Sequence, residues 1–155
     1  MKGQASMDFL MVMSLLFIIL VPTVSLFYNY TRSTREQAAI TQSGTLAKQI
    51  ISNAEKVYYF GFGSRLTLEL TMPEGVNSIK VAPHGILEGQ KELVINVTTG
   101  DGYAEIVSLS KVPLETADFT GALQDEKVTS GYKRIQVEAK KDPAGLLYVE
   151  IRVMQ

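Results

Sequence analysis

The side chains able to do chemistry in this chain are few and scattered. None of its 155 residues is Cys, which removes thiolate nucleophiles, thiolate metal sites and disulfides. The single His, His84, sits in the turn sequence Pro83-His84-Gly85, and no G-x-S-x-G elbow accompanies it. A loop histidine without catalytic duty is the expectation. Gly61-Phe62-Gly63-Ser64 resembles the start of a phosphate loop, but no Lys-Ser or Lys-Thr follows it. Asp125-Glu126 and the Glu115/Asp118 pair lack the regularly spaced oxygen ligands of a calcium loop. No catalytic set, metal site or cofactor is therefore expected. Two tripeptides, Asn29-Tyr30-Thr31 and Asn96-Val97-Thr98, are acceptors for N-glycosylation by pattern. One acid stands apart. Asp8 lies at the head of a long apolar run, where a carboxylate is costly in lipid unless it has a partner.

The apolar run extends from Phe9 to Phe27 without a charge. As a helix it spans roughly 28 Å, about the hydrocarbon thickness of a bilayer. Tyr28 and Tyr30 follow it, at the position of an aromatic interface belt. Pro22 has no backbone donor for the carbonyl of Ile18, so a kink or a locally unwound turn is expected there. The formal net charge of −1 gives no basic face for nucleic acid.

Residues 31–60 read as an amphipathic helix. Ile40, Ala47, Ile50, Ile51, Ala54, Val57 and Tyr58 recur at helical spacing, while Arg35, Glu36, Gln42, Lys48 and Gln49 occupy other faces. Ser33-Thr34-Arg35-Glu36 fits a capping box and could start a fresh helix. One long, bent helix from about Ala5 to Tyr59 is the favoured reading, because no strong loop signal interrupts it. Asn29 is its weakest point. Residues 61–64 form the hinge, since glycine just past a helical run is the usual stop.

From Arg65 the period changes to two. Leu66, Leu68, Leu70 and Met72 alternate with polar residues, and Pro73-Glu74-Gly75 turns the chain. Asn77 to Ala82 is a weaker strand candidate. Glu92 to Thr98 and Tyr103 to Ser110 flank Gly100-Asp101-Gly102 as a hairpin. Lys133 to Lys140 and Leu146 to Met154 flank Asp142-Pro143-Ala144-Gly145 as another. About six strands in a small antiparallel sheet or sandwich follow, over residues 65–155. Thr116 to Gln124 reads as a helical turn. Asn96 falls on the face opposite Leu93, Ile95 and Val97, and is expected to point to solvent. The fold class is α+β.

Three readings of the N-terminus compete. A removable secretory signal would use the small residues Thr23-Val24-Ser25, but the apolar run is longer than a usual signal core. A plain single-span anchor explains the length and the aromatic flanks but leaves Asp8 without a role. Its orientation is nearly balanced and slightly disfavours exporting the C-terminal part, with Lys2 and the amino terminus before the span and Arg32 and Arg35 after it. The third reading is a resemblance. Lys2-Gly3-Gln4-Ala5-Ser6-Met7-Asp8-Phe9-Leu10 resembles the class III signal peptide of archaeal type IV pilin-like proteins. In that family a prepilin peptidase cuts before Gln, Ser6 matches the family Ser, and an acid stands at the fifth position of the mature chain. Asp8 occupies that place, where Glu is more usual.

The resemblance implies cleavage between Gly3 and Gln4, a leader of residues 1–3, and a hydrophobic helix over residues 4–30 that is kept. It implies that the Asp8 carboxylate pairs with the α-amine of a neighbouring subunit, neutralising two charges that are expensive in an apolar setting. Such a pair would also set axial register. The function expected is that of a structural subunit of an archaeal type IV pilus-like surface filament, stored in the membrane and assembled after cleavage. The partners expected are prepilin peptidase, the membrane and related subunits. The alternatives are a membrane-anchored β domain that does not polymerise, and a secreted β-domain binding protein. An enzyme is the least supported class.

Overall fold

The computed structural model describes residues 2–83, 91–117, 121–123 and 130–154, with side chains from residue 7 onward and without that of Ala122. His84, Asp118, Asp125 and Glu126 lie outside the described residues. The chain divides into two compact units, Met1–Gln37 and Ala38–Gln155.

Helix α1, Lys2–Phe60, runs without a break through Pro22 and Asn29. No fresh helix starts at Ser33, as the favoured continuous reading requires, and the alternative capping-box start is not used. The Thr34 hydroxyl donates back to the Tyr30 carbonyl at 2.9 Å, and Glu36 pairs with Arg32 at 3.1 Å. Both side chains reach one turn back along a continuing helix, which has no end at Ser33 to cap. The stop comes where glycine permits it. Gly61 has a φ of +94°, a left-handed conformation that ends helices with little strain. Its N–H donates to the Tyr58 carbonyl at 3.1 Å.

In the second unit, the helix over residues 38–60 buries Leu46, Ala47, Ile50, Ile51, Ala54 and Val57. Ile40 and Tyr58, expected on the same face, are half-buried. Two sheets share one hydrophobic core with this face. Strand β1 (Arg65–Met72), β7 (Gly131–Lys141), β8 (Leu147–Met154) and β5 (Leu114–Thr116) form the first, in the order β1-β7-β8-β5. Strands β4 (Gly102–Leu109), β3 (Lys91–Thr99), β2 (Val76–Pro83) and β6 (Ala122–Leu123) form the second, in the order β4-β3-β2-β6. All pairings are antiparallel except β5 with β8.

Strands β3 and β7 place alternate apolar residues in the core, as a period of two requires, whereas β1 buries only Met72 and no residue of β4 is fully buried. Leu93, Ile95 and Val97 of β3 are buried, and so are Ile135, Val137 and Ala139 of β7. The six strands expected from alternation are present, and two shorter ones join them. The helical turn expected over Thr116–Gln124 is replaced, among its described residues, by the end of β5 and by β6. Gly121 anchors this return. Its carbonyl accepts from the Val81 N–H at 2.6 Å, and its N–H donates to the Thr116 hydroxyl at 3.1 Å. An ion pair, Lys91 to Glu115 at 3.1 Å, links β3 of one sheet to β5 of the other.

Candidate membrane-spanning and assembly segment

Every described side chain from Met7 to Tyr30 is exposed in the single chain. This is the reverse of a soluble core helix, which buries its apolar stripe. Residues 9–31 carry no charge. Helix α1 is the one helix among the described residues long and apolar enough to cross a membrane.

The polar groups within this run are satisfied by the helix itself. The hydroxyls of Ser14, Thr23 and Thr31 donate to the carbonyls of Leu10, Ile19 and Phe27 at 2.7, 2.7 and 2.9 Å. Back-bonding of this kind needs no water, so these residues suit hydrocarbon or a dry helix bundle. The Thr23 bond lies one residue past Pro22, whose ring leaves the Ile18 carbonyl without its helical donor.

Asp8 stands at the N-terminal edge of this run, exposed, and no described residue forms an ion pair with it. Lys2, Gly3, Gln4 and Ser6 fall within the helical backbone, but their side chains lie outside those described. At the other edge, Tyr28 and Tyr30 are exposed, and Arg32 donates through Nε to Glu36 Oε1. A groove of about 480 Å³ lies here, lined by Val24, Phe27, Tyr28, Thr31, Arg32, Arg35 and Glu36. From sequence, Arg32 and Arg35 bear on orientation, and Arg35 also falls on the polar side of the amphipathic helix. The signal for a shared face was their spacing from Tyr28, four and seven residues on.

The two acceptor asparagines differ in setting. Asn29 is exposed on α1. Asn96 does lie opposite the buried face of β3, but it is half-buried rather than free in solvent. Its Nδ2 donates to the Ser78 hydroxyl across the β2–β3 pairing at 3.2 Å, and its Oδ1 is buried without a hydrogen-bond partner. Alternation could identify the face but not the cross-strand neighbour that occupies the amide.

The outer face of the first sheet is a charge ladder. Arg65 meets Glu138 at 2.8 Å, and Glu150 accepts from Lys140 at 2.8 Å and from Arg152 at 3.0 Å. The Arg65 hydrogen bond holds the Glu138 carboxyl below the usual carboxylate range, against the opposing effect of partial burial. Among the described residues no group of acids and histidines could hold a metal ion. No protein-family model, curated protein or solved structure matches the chain.

Proposed function

We propose that the chain is a structural subunit of an archaeal type IV pilus-like filament. It is cut between Gly3 and Gln4 by a prepilin peptidase, held in the membrane by residues 4–30, and then packed through that helix against copies of itself. One observation carries the reading. The charge that directly adjoins the N-terminal end of the apolar run Phe9–Phe27 is an acid, Asp8, and it stands in the context Gly3-Gln4-x-Ser6-x-Asp8. A plain anchor needs neither the acid nor that context. An assembling helix gains from both, because cleavage creates an α-amine near Asp8 that a neighbouring copy can present to it. A dry amine–carboxylate pair tolerates few registers, so it fixes how far one helix slides along the next.

The self-satisfied hydroxyls of Ser14, Thr23 and Thr31 support the same reading, since they let one segment reside first in lipid and then among helices. The role is mechanical, with the β unit displayed outside the cell. Asp8→Ala should leave membrane insertion intact and lower incorporation into filaments by at least roughly tenfold, the scale of losing one dry charge pair. Asp8→Glu should be tolerated. Incorporation of the Ala variant at the wild-type level would remove Asp8 from the mechanism.

A further inference from the structure

We propose that the groove along residues 24–36 of α1 binds the phosphate headgroup of an anionic membrane lipid. The inference rests on the membrane reading above and goes further, by assigning a ligand class to a surface.

The argument starts from spacing. Tyr28, Arg32 and Arg35 recur at i, i+4 and i+7, which a helix places on one face. They are joined in the groove by Val24 and Phe27 on the side of the apolar run, and by Thr31 and Glu36. The lining therefore changes along the helix axis from hydrocarbon to guanidinium, the profile of an amphiphile. Arg32 and Arg35 are the first cations after residues 9–31, which carry no charge. They stand where a headgroup layer begins if the span is centred on Phe9–Phe27.

Charge complementarity selects the occupant. Glu36 engages Arg32 through Nε, and Arg35 forms no ion pair among the described residues. Glu36 offsets one of the two arginines, so the groove keeps about one net positive charge. A guanidinium presents several donors in a fixed fork that matches phosphate oxygens. The tyrosine ring beside it is the usual aromatic neighbour at that depth. A free phosphate would use the guanidinium but not Val24 or Phe27, whereas a lipid uses both ends. The arginines thus hold the stored subunit at a fixed depth on the C-terminal side of its span.

The test uses the full chain reconstituted in vesicles of equal parts phosphatidylglycerol and phosphatidylcholine. Resistance to alkaline carbonate extraction reports insertion, and native mass spectrometry counts the lipids each molecule retains. Retained phosphatidylglycerol should exceed phosphatidylcholine by roughly fivefold, the effect of one unpaired arginine near the surface. The double variant Arg32→Gln/Arg35→Gln should insert equally and retain both lipids alike. Its exposed positions leave helicity, read by circular dichroism, unchanged. Inorganic phosphate should fail to displace the retained lipid. Insertion with equal retention by the wild type, or full displacement by phosphate, overturns the groove and leaves the membrane reading standing. Failure to insert overturns the membrane reading itself.

Discussion

Arg65 and Glu138 face each other directly across the β1–β7 pairing, and the guanidinium donates to the carboxylate at 2.8 Å. Glu138 also lies 4.0 Å from Lys140, which in turn meets the nearly buried Glu150. Opposite charges placed in register are a stabilising unit of an antiparallel pair. Here they run on through Glu150 to Arg152, so the outer face of the sheet carries linked charges rather than isolated pairs.

This ladder sets a pH dependence. The Glu138 carboxyl is held below its ordinary range, first by the Arg65 hydrogen bond. A carboxyl lowered in the folded state binds its proton more weakly there than when unfolded. It therefore contributes stability above the ordinary carboxylate range, and that contribution is lost as pH falls through the lowered value. The magnitude is at most about 1 kcal/mol, because Arg65 is more than half exposed and solvent screens the pair. Denaturant melts of the strand signal at neutral and acid pH should show Arg65→Ala reducing the difference between them. An unchanged difference would remove the pair from the acid response.

Gly121 should resist substitution. Its φ is +77°, and a Cβ there would meet the Val81 carbonyl oxygen at 2.7 Å. Backbone cannot move aside cheaply, since the neighbouring Val81 N–H is already bonded to Gly121. Gly121→Ala should cost about 1–3 kcal/mol in thermal or denaturant unfolding. Full stability in that variant would mean the β5–β6 return rearranges without penalty.

The two halves of α1 should respond oppositely to truncation. Ile50 is fully buried in the shared core, so Ile50→Ala should destabilise the β unit by about 2–5 kcal/mol. Leu16 is exposed in the single chain, so Leu16→Ala should leave that unfolding transition unchanged while weakening retention in filaments. Equal losses of stability from both variants would show that the apolar half is covered within the chain.

Periodicity made most of the fold legible, because long elements repeat their burial pattern often enough to read. Residues 46–57 and strands β3, β7 and β8 are examples. Strands β5 and β6 escaped because three and two residues cannot display alternation. The capping-box pattern at Ser33 starts no helix, in keeping with the continuous helix that the lack of a loop signal favoured. The same residue types serve in mid-helix, where Thr34, inside the pattern, bonds back to Tyr30 and Glu36, its acid, turns to Arg32. For the candidate site, sequence singled out Asp8 and the apolar run but read Arg32 and Arg35 as topology signals and, for Arg35, as part of a polar helix face. Their shared groove depends on which side chains a continuous helix brings to one face. The burial of the Asn96 amide depends on Ser78 in a neighbouring strand, a relation set by register rather than by local sequence.

The most direct test of the central claim is the N-terminus of the protein recovered from its native membrane or filaments, read by intact-mass and peptide mass spectrometry. Processing before Gln4 gives a chain beginning at Gln4 or its cyclised pyroglutamate form, with the apolar run retained. A chain beginning at Met1, or one beginning near Leu26 with that run removed, would contradict the assignment.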